Sequence, residues 1–389
     1  MKILFHLICF CLLFSFSACQ TDTTKEPNES TPSAHPLPPE QEDYEESTNK
    51  WGFINTKGDL VIKALFDESR PFSEGLALIR KGGKWGFIDQ KGNTVIPLQY
   101  KSAWSFIEGR ARVLTYDNQM GIIDQKGKWI IEPKYELINN FSEGLVVVKT
   151  AEGYGYLNEK GKLSIPSQFD KAWKFQNGLG KVKIDNGLGL INKEGTIVVQ
   201  PIYQKLHALK DGLVRVQLND QYGYIDKNGK TIIDHQFPSA YDFEKGLASV
   251  RKGDQYGLIN QKGKFVVAPT YEFIWYAGDE VWGVQKEGKY GLIDRQGKAI
   301  TPIHFTQLYS FSEGFAPYQQ NHLWGYLDIS GRTITPPMFG LAWNFKEGLA
   351  RIAGRKGIGF INTIGEPVIF PAYLDVKDFS EGLAQVQKF

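Results

Sequence analysis

A glycine returns at a fixed interval along this chain: Gly52, Gly86, Gly121, Gly155, Gly189, Gly223, Gly257, Gly291, Gly325 and Gly359. Every step is 34 residues except one of 35. A large apolar residue precedes each glycine, from Trp51 and Trp85 through Met120 and Tyr154 to Ile358, and an aliphatic stands two residues after it in every copy. Ten copies of one short unit confine the chain to an array, because a unit of this size cannot bury its own hydrophobic face and must be completed by its neighbours. The usual inference of two or three domains from a length of 389 residues therefore does not apply.

Each unit reads as strands. After the glycine comes an Asx-x-x-Gly turn in all ten copies, among them Asn55–Gly58, Asp89–Gly92 and Asn362–Gly365. A short Asx side chain bonds to the backbone of such a turn, and glycine takes the position with positive φ. The flanking segments are β-branched and aromatic, as in a hairpin. A further strand follows the motif Phe-Ser-Glu-Gly-Leu-Ala, seen at 72–77 and 379–384 with variants between, such as 311–316. The unit is thus expected to be a three-stranded antiparallel meander plus a linker of about a dozen residues. The linker has its own aromatic column, running from Phe66 and Tyr100 to Phe339 and Tyr373. Ten rings, each burying about 150–250 Å², would join successive units into one core.

Glycine, aliphatic, Asx-turn and Phe-x-x-Gly-Leu columns recur together over residues 51–389, and in this the chain resembles the WG-repeat (Trp-Gly β repeat) family of bacterial proteins. Tryptophan itself stands before the glycine only at Trp51, Trp85 and Trp324. The resemblance implies an all-β repeat fold and names no activity.

The ends of the array are in phase. It begins at Trp51 within a meander and finishes with Leu383–Phe389, the strand that the first unit lacks. The expected fold is a closed, propeller-like ring of ten units, with an open β superhelix as the alternative; closure would remove exposed sheet edges.

Ahead of the repeats, residues 1–18 read as a lipoprotein signal peptide. One lysine precedes an apolar run from Ile3 to Phe16, too short to span a bilayer, and Phe16-Ser17-Ala18-Cys19 resembles a lipobox. Cys19 would carry the lipid. Residues 20–49 hold five prolines, eight acidic residues and one lysine, the composition of an extended tether. Localisation in a bacterial cell envelope follows, with the membrane held through the lipid and a protein or glycan as partner.

Chemistry is harder to find. Cys9, Cys11 and Cys19 are the three cysteines, so residues 20–389 offer no thiol nucleophile and no thiolate metal site. The histidines show no metal spacing, and no cofactor motif is present. A formal net charge of +2 argues against nucleic acid as a partner. The repeated Glu74, Glu108, Glu143, Glu313, Glu347 and Glu381 read as a turn element. The variable column two residues before the Phe of Phe-x-x-Gly is the candidate ligand surface: Trp104, Trp173, Tyr241, Trp275, Tyr309 and Trp343, with Arg70, Asn139, His207 and Lys377 at the remaining places. Polar residues in the same column imply exposure, and aromatic platforms suit sugars or peptides; packing between units is the competing role. The seventh repeat counted from Trp51 departs furthest, with Asp279 and Glu280 between Trp275 and Trp282, and the longer hairpin Thr115–Gln119 is a second irregular spot. A non-catalytic binding module is expected; the alternatives are a carbohydrate-active enzyme using Asp279 and Glu280, and a structural spacer.

Overall fold

The computed structural model describes residues 49–387. The expected signal peptide, Cys19 and the expected tether up to residue 48 lie outside the described residues. The repeats form ten small antiparallel sheets arranged as the blades of a ten-bladed β-propeller. The three-stranded meander is present, and part of the linker adds a fourth strand at its front. In blade two, for example, β1 of the blade is Glu68–Ser73, followed by Leu76–Lys81, Lys84–Asp89 and Thr94–Tyr100 in that spatial order. Eight sheets have four strands. Blades seven and eight have three, an isolated bridge between Ala240 and Val250 replacing the first strand of one, and bridges Tyr290–Phe305 and Ile293–Ala299 replacing the last strand of the other.

Blade one is built from both ends of the array. Trp51–Asn55 pairs on one side with Leu60–Phe66 and on the other with Leu383–Gln387, in register from Trp51 opposite Gln387 to Asn55 opposite Leu383. The ring therefore closes as the phase of the sequence requires, and the open superhelix is not formed.

In blade two the two middle strands are buried on both faces, which is why Leu76–Ile79 can be a continuous apolar run. The cores lie between blades: Phe87, Ile96 and Tyr100 of blade two pack with Phe106, Ala111 and Val113 of blade three. One contact repeats around the ring. The aromatic residue after the glycine meets the Phe of the next blade's Phe-x-x-Gly edge on, as in Phe53–Phe72 (5.0 Å), Phe87–Phe106 (4.9 Å) and Tyr224–Phe243 (4.7 Å). Such pairs add about 0.5–1.5 kcal/mol beyond the area they bury.

The glycine column answers to the fourth strand. In blade two Trp85 opposes Tyr100 and Phe87 opposes Ile96, so the three residues 97–99 face Gly86 alone. That bulge presses the fourth strand onto the glycine. A Cβ there would lie 2.7 Å from the Ile96 carbonyl oxygen and 2.8 Å from Pro97 backbone atoms. Proline is tolerated at this place because the strand is an edge and the bulge needs no donor.

Candidate functional site

The turn between the first and second strands carries the repeated glutamate, and it joins blade to blade. Glu and Gly at its centre both have positive φ, 56° and 82° at Glu74 and Gly75. This leaves both amides pointing outward, where the glutamate of the preceding blade accepts them. Glu381 Oε1 and Oε2 receive the amides of Glu74 (2.6 Å) and Gly75 (2.9 Å), and Glu347 receives those of Glu381 (2.7 Å) and Gly382 (2.9 Å). Glu313 does the same for Glu347 and Gly348. The adjacent serine adds a second tie: Ser380 Oγ donates to Phe72 O (2.8 Å) across the closing seam, as Ser312 Oγ does to Phe345 O (2.7 Å) between internal blades. The glutamate is a structural latch, the role the sequence assigns it.

The variable column stands on the first strand of a blade, as at Trp173, Trp275 and Trp343, or just past the pairing that takes its place, as at Trp104, Tyr241 and Tyr309, two residues before the inter-blade phenylalanine or its equivalent. Trp104, Trp173, Tyr241, Trp275 and Trp343 are half-buried, and Tyr309 is 41% exposed. The structure does not gather the six into one pocket. Tyr241 reaches Trp275 through Phe273, whose ring lies 5.5 Å from the first and 5.9 Å, stacked, from the second. Tyr309 stacks on Trp324 at 4.9 Å. Trp104, Trp173 and Trp343 stand on separate blades, and each has a cation over its ring: Arg112 at 4.4 Å, Lys181 at 4.7 Å with Lys171 at 5.1 Å, and Arg351 at 4.7 Å. Contacts of this kind contribute about 0.5–2 kcal/mol each. Neighbouring blades also clamp the column's backbone: the hydroxyls of Tyr156, Tyr224 and Tyr326 donate to the carbonyls of Trp173, Tyr241 and Trp343 at 2.6–2.8 Å. Burial raises the phenol pKa of all three tyrosines, so they stay donors.

Sequence reasoning missed these cations. They occupy the second strand eight residues after the aromatic column, at Arg112, Lys181, Arg215 and Arg351, and that fixed spacing is the signal that would have found them. Each reaches across to the next blade. Lys181 Nζ donates to Leu206 O (3.2 Å), Arg112 Nη1 to Ile138 O (3.3 Å) and Arg351 Nη1 to Val376 O (2.9 Å); Arg215 Nη1 donates to Ala240 O. His207, which takes the aromatic place in blade six, is buried, and its Nδ1 lies 2.6 Å from Arg215 Nη2. Burial first, then the charges of Arg215, Lys181 and Lys205, hold its imidazole down to about 2, so it is neutral at physiological pH.

The acidic–aromatic cluster of the seventh repeat is dispersed. Asp279 and Glu280 form an exposed turn with positive φ, Glu280 facing Arg295 at 3.5 Å, while Trp282 is buried in the core against Tyr276. Among the described residues no group of three or more His, Asp or Glu is placed to hold a metal ion. The hairpin Thr115–Gln119 is closed by Thr115 and Gln119, and its Asn118 accepts from Lys101 Nζ at 2.6 Å.

The family described as WG containing repeat matches ten segments that run from residue 51 to residue 388. No curated protein matches the sequence. Solved structures similar to it include that of a eukaryotic initiation factor (12% identity, 76% of this chain and 95% of that one, TM-score 0.48). A computationally designed protein, Ika8, is similar over 73% of this chain and 95% of its own (12% identity, TM-score 0.35). PorZ, a surface component of the type-IX secretion system of Porphyromonas gingivalis, is similar over 83% of this chain and 53% of its own (10% identity, TM-score 0.27).

Proposed function

From the premise that the chain belongs to the WG-repeat family, we propose that it is a non-catalytic binding module, held on the bacterial cell envelope by a lipid on Cys19, whose ligand surface is the variable column of the ring. The observation that carries this reading is the contrast between columns. The glycine, Asx-turn and linker-aromatic columns keep one chemistry in all ten copies, whereas two facing columns vary. The first-strand column changes among Trp, Tyr, His, Asn, Arg and Lys, and the second-strand column eight residues on includes Arg112, Lys181, Arg215 and Arg351 beside Leu78, Val147 and Gln385. Packing alone asks for volume, and a half-buried Asn139 or Lys377 fills the place poorly. Half-buried Trp and Tyr flanked by cations are the residue types that carry binding energy at protein surfaces. A closed ring that repeats one blade ten times also suits recognition by a pre-organised surface.

The test is a retention assay of the full chain, in detergent, on immobilised peptidoglycan fragments and envelope extract, beside a Trp104→Ala, Trp173→Ala, Trp343→Ala variant whose fold is checked by circular dichroism. Retention that drops at least tenfold in the folded variant supports the column as the site. Equal retention by both chains, or none by either, overturns it. Cys19→Ser in the bacterial host tests the anchor: unprocessed precursor should accumulate, and normal processing would remove the lipid from the proposal.

A further inference from the structure

Arg112, Arg215 and Arg351 stand at one position of the repeat, on the second strands of blades three, six and ten. Two of them are satisfied in the same way. Arg215 Nε donates to Asp242 Oδ1 at 2.8 Å and Arg351 Nε to Asp378 Oδ1 at 2.5 Å, each aspartate lying on the next blade. The residue in the aspartate's place opposite Arg112 is Asn140, the equivalent position once the one-residue insertion is counted. Arg112 is 7% exposed, and its Nε is buried without a hydrogen-bond acceptor. Its Nη1 keeps the carbonyl contact to Ile138 at a longer 3.3 Å, and its plane covers Trp104. A buried guanidinium without a carboxylate is expensive, and burial lowers its pKa to about 10.

In the two sister sites this place borders solvent: the side chains of Asp242 and Asp378 are 28% and 38% exposed. In blade three Asn140 stands in that place and covers the buried Nε, so a carboxylate from outside reaches it along the same path by displacing the Asn140 side chain. The chain's single inserted residue falls in the hairpin that begins at Thr115, next along the same strand. Irregularity in the repeat and the orphaned donor thus coincide in blade three.

Building on the binding-module reading, we propose that the notch between Arg112 and Asn140 takes the carboxylate of an aspartate or glutamate side chain from an acidic protein segment. The two sister sites show what fits, an aspartate side chain from the irregular stretch ahead of the next blade's second strand. An acidic sugar suits the notch less well, because the guanidinium already covers a face of Trp104 and a pyranose would need such a face to stack on. Bidentate donation through Nε and an Nη is the strongest geometry an arginine offers a carboxylate.

The experiment measures fluorescence anisotropy of a labelled hexa-aspartate peptide with the full chain, with hexa-asparagine and hexagalacturonate as comparison probes. Three variants accompany it. Asn140→Asp fills the notch from within, Arg112→Met removes the donor, and Asp378→Asn opens the sister notch at Arg351. The expected result is binding of hexa-aspartate by the parent chain, at least tenfold weaker binding by Asn140→Asp and Arg112→Met, and about twice the binding capacity in Asp378→Asn. Asn140→Asp should also melt no lower than the parent, which separates loss of the site from loss of the fold. Unchanged binding by Asn140→Asp, no binding by the parent, or tighter binding of hexagalacturonate than of the peptide would each overturn the proposal. If the triple tryptophan variant loses its envelope ligand while Asn140→Asp keeps it, the binding module stands and this assignment alone fails.

Discussion

Replacing Gly86 by alanine tests the physical reason for the repeat's defining column. The added Cβ would sit 2.7 Å from the Ile96 carbonyl oxygen and 2.8 Å from the carbonyl carbon and oxygen of Pro97. All three are backbone atoms of the bulged fourth strand, so no side chain can swing away. The strand must retreat to about 3.4 Å, where ordinary contact begins, and weaken the ladder bonds on either side. Forcing an extra carbon into such a place costs about 1–3 kcal/mol, and a rigid backbone puts the cost at the upper end. Two glycines serve as controls. Gly75 has open space around its Cβ position but a φ of 82°, so alanine there costs about 1 kcal/mol through strain alone. Gly354 has neither problem, its Cβ position being 3.6 Å from the Pro371 ring, and alanine there should be neutral or stabilise by up to about 1 kcal/mol. At about 2.1 cal/mol/K of unfolding entropy per residue, each kcal/mol moves the Tm of a ring this large by about 1.5 °C. Differential scanning calorimetry should rank Gly354→Ala highest, Gly75→Ala about 1–2 °C below the parent, and Gly86→Ala about 3–5 °C below it. A Tm for Gly86→Ala equal to or above that of Gly75→Ala would refute the close approach as the reason for the glycine.

Two further outcomes follow from the latch and the buried histidine. Glu347→Ala removes the acceptor of two amides, so hydrogen exchange at Glu381 and Gly382 should quicken about tenfold while the amides of the strand ladders stay protected; unchanged exchange would mean that the latch carries no energy. His207 has a folded pKa of about 2 against about 6.5 in the unfolded chain, so only the unfolded chain takes up its proton as pH falls. Its contribution is complete above about pH 6.5 and is lost below that, at about 1.4 kcal/mol per pH unit. Between pH 7 and pH 5 the parent should lose about 2 kcal/mol more stability than His207→Gln, which keeps an acceptor toward Arg215 without titrating; parallel urea-denaturation profiles would contradict this.

The fold was legible because its determinants are local and repeated. Asn55 and Asp89 write their turns by accepting the amides two and four residues on, and nothing distant alters that. Closure was legible because Trp51 and Leu383 begin complementary parts of one meander. The added first strand of each blade was not, since residues such as Ser102–Ala103 and Leu137–Ile138 pair over only two positions, too few for a period to show. The candidate site was half legible. A single column of aromatics is visible in the recurrence of Trp and Tyr, but whether a ring faces solvent depends on what the second strand sends over it, and only the spacing of eight residues ties Arg112 to Trp104 or Arg351 to Trp343. The acidic–aromatic cluster around Asp279 and Trp282 failed for a simpler reason. Trp282 lies on the second strand of its blade, Val281–Lys286, whose first four residues are buried on both faces, so its ring is in the core whichever way it points.

A closed repeat of this kind is also an internal mutational series. Ser380 and Glu381 make across the chain termini the same bonds that Ser312 and Glu313 make between internal blades, so the seam is no weaker in kind than any other joint. Each blade therefore presents its side chains in nearly the same setting, and a difference between blades isolates one substitution. Tyr156, Tyr224 and Tyr326 keep one bond to the next blade whether the residue they clamp is Trp173, Tyr241 or Trp343, which separates the scaffold from the column it carries. Arg215 with Asp242 and Arg351 with Asp378 then define what an arginine at this place requires. Arg112 opposite Asn140 lacks it, and in a ring where the same need is met twice from within, the unmet one is where an external carboxylate has most to gain.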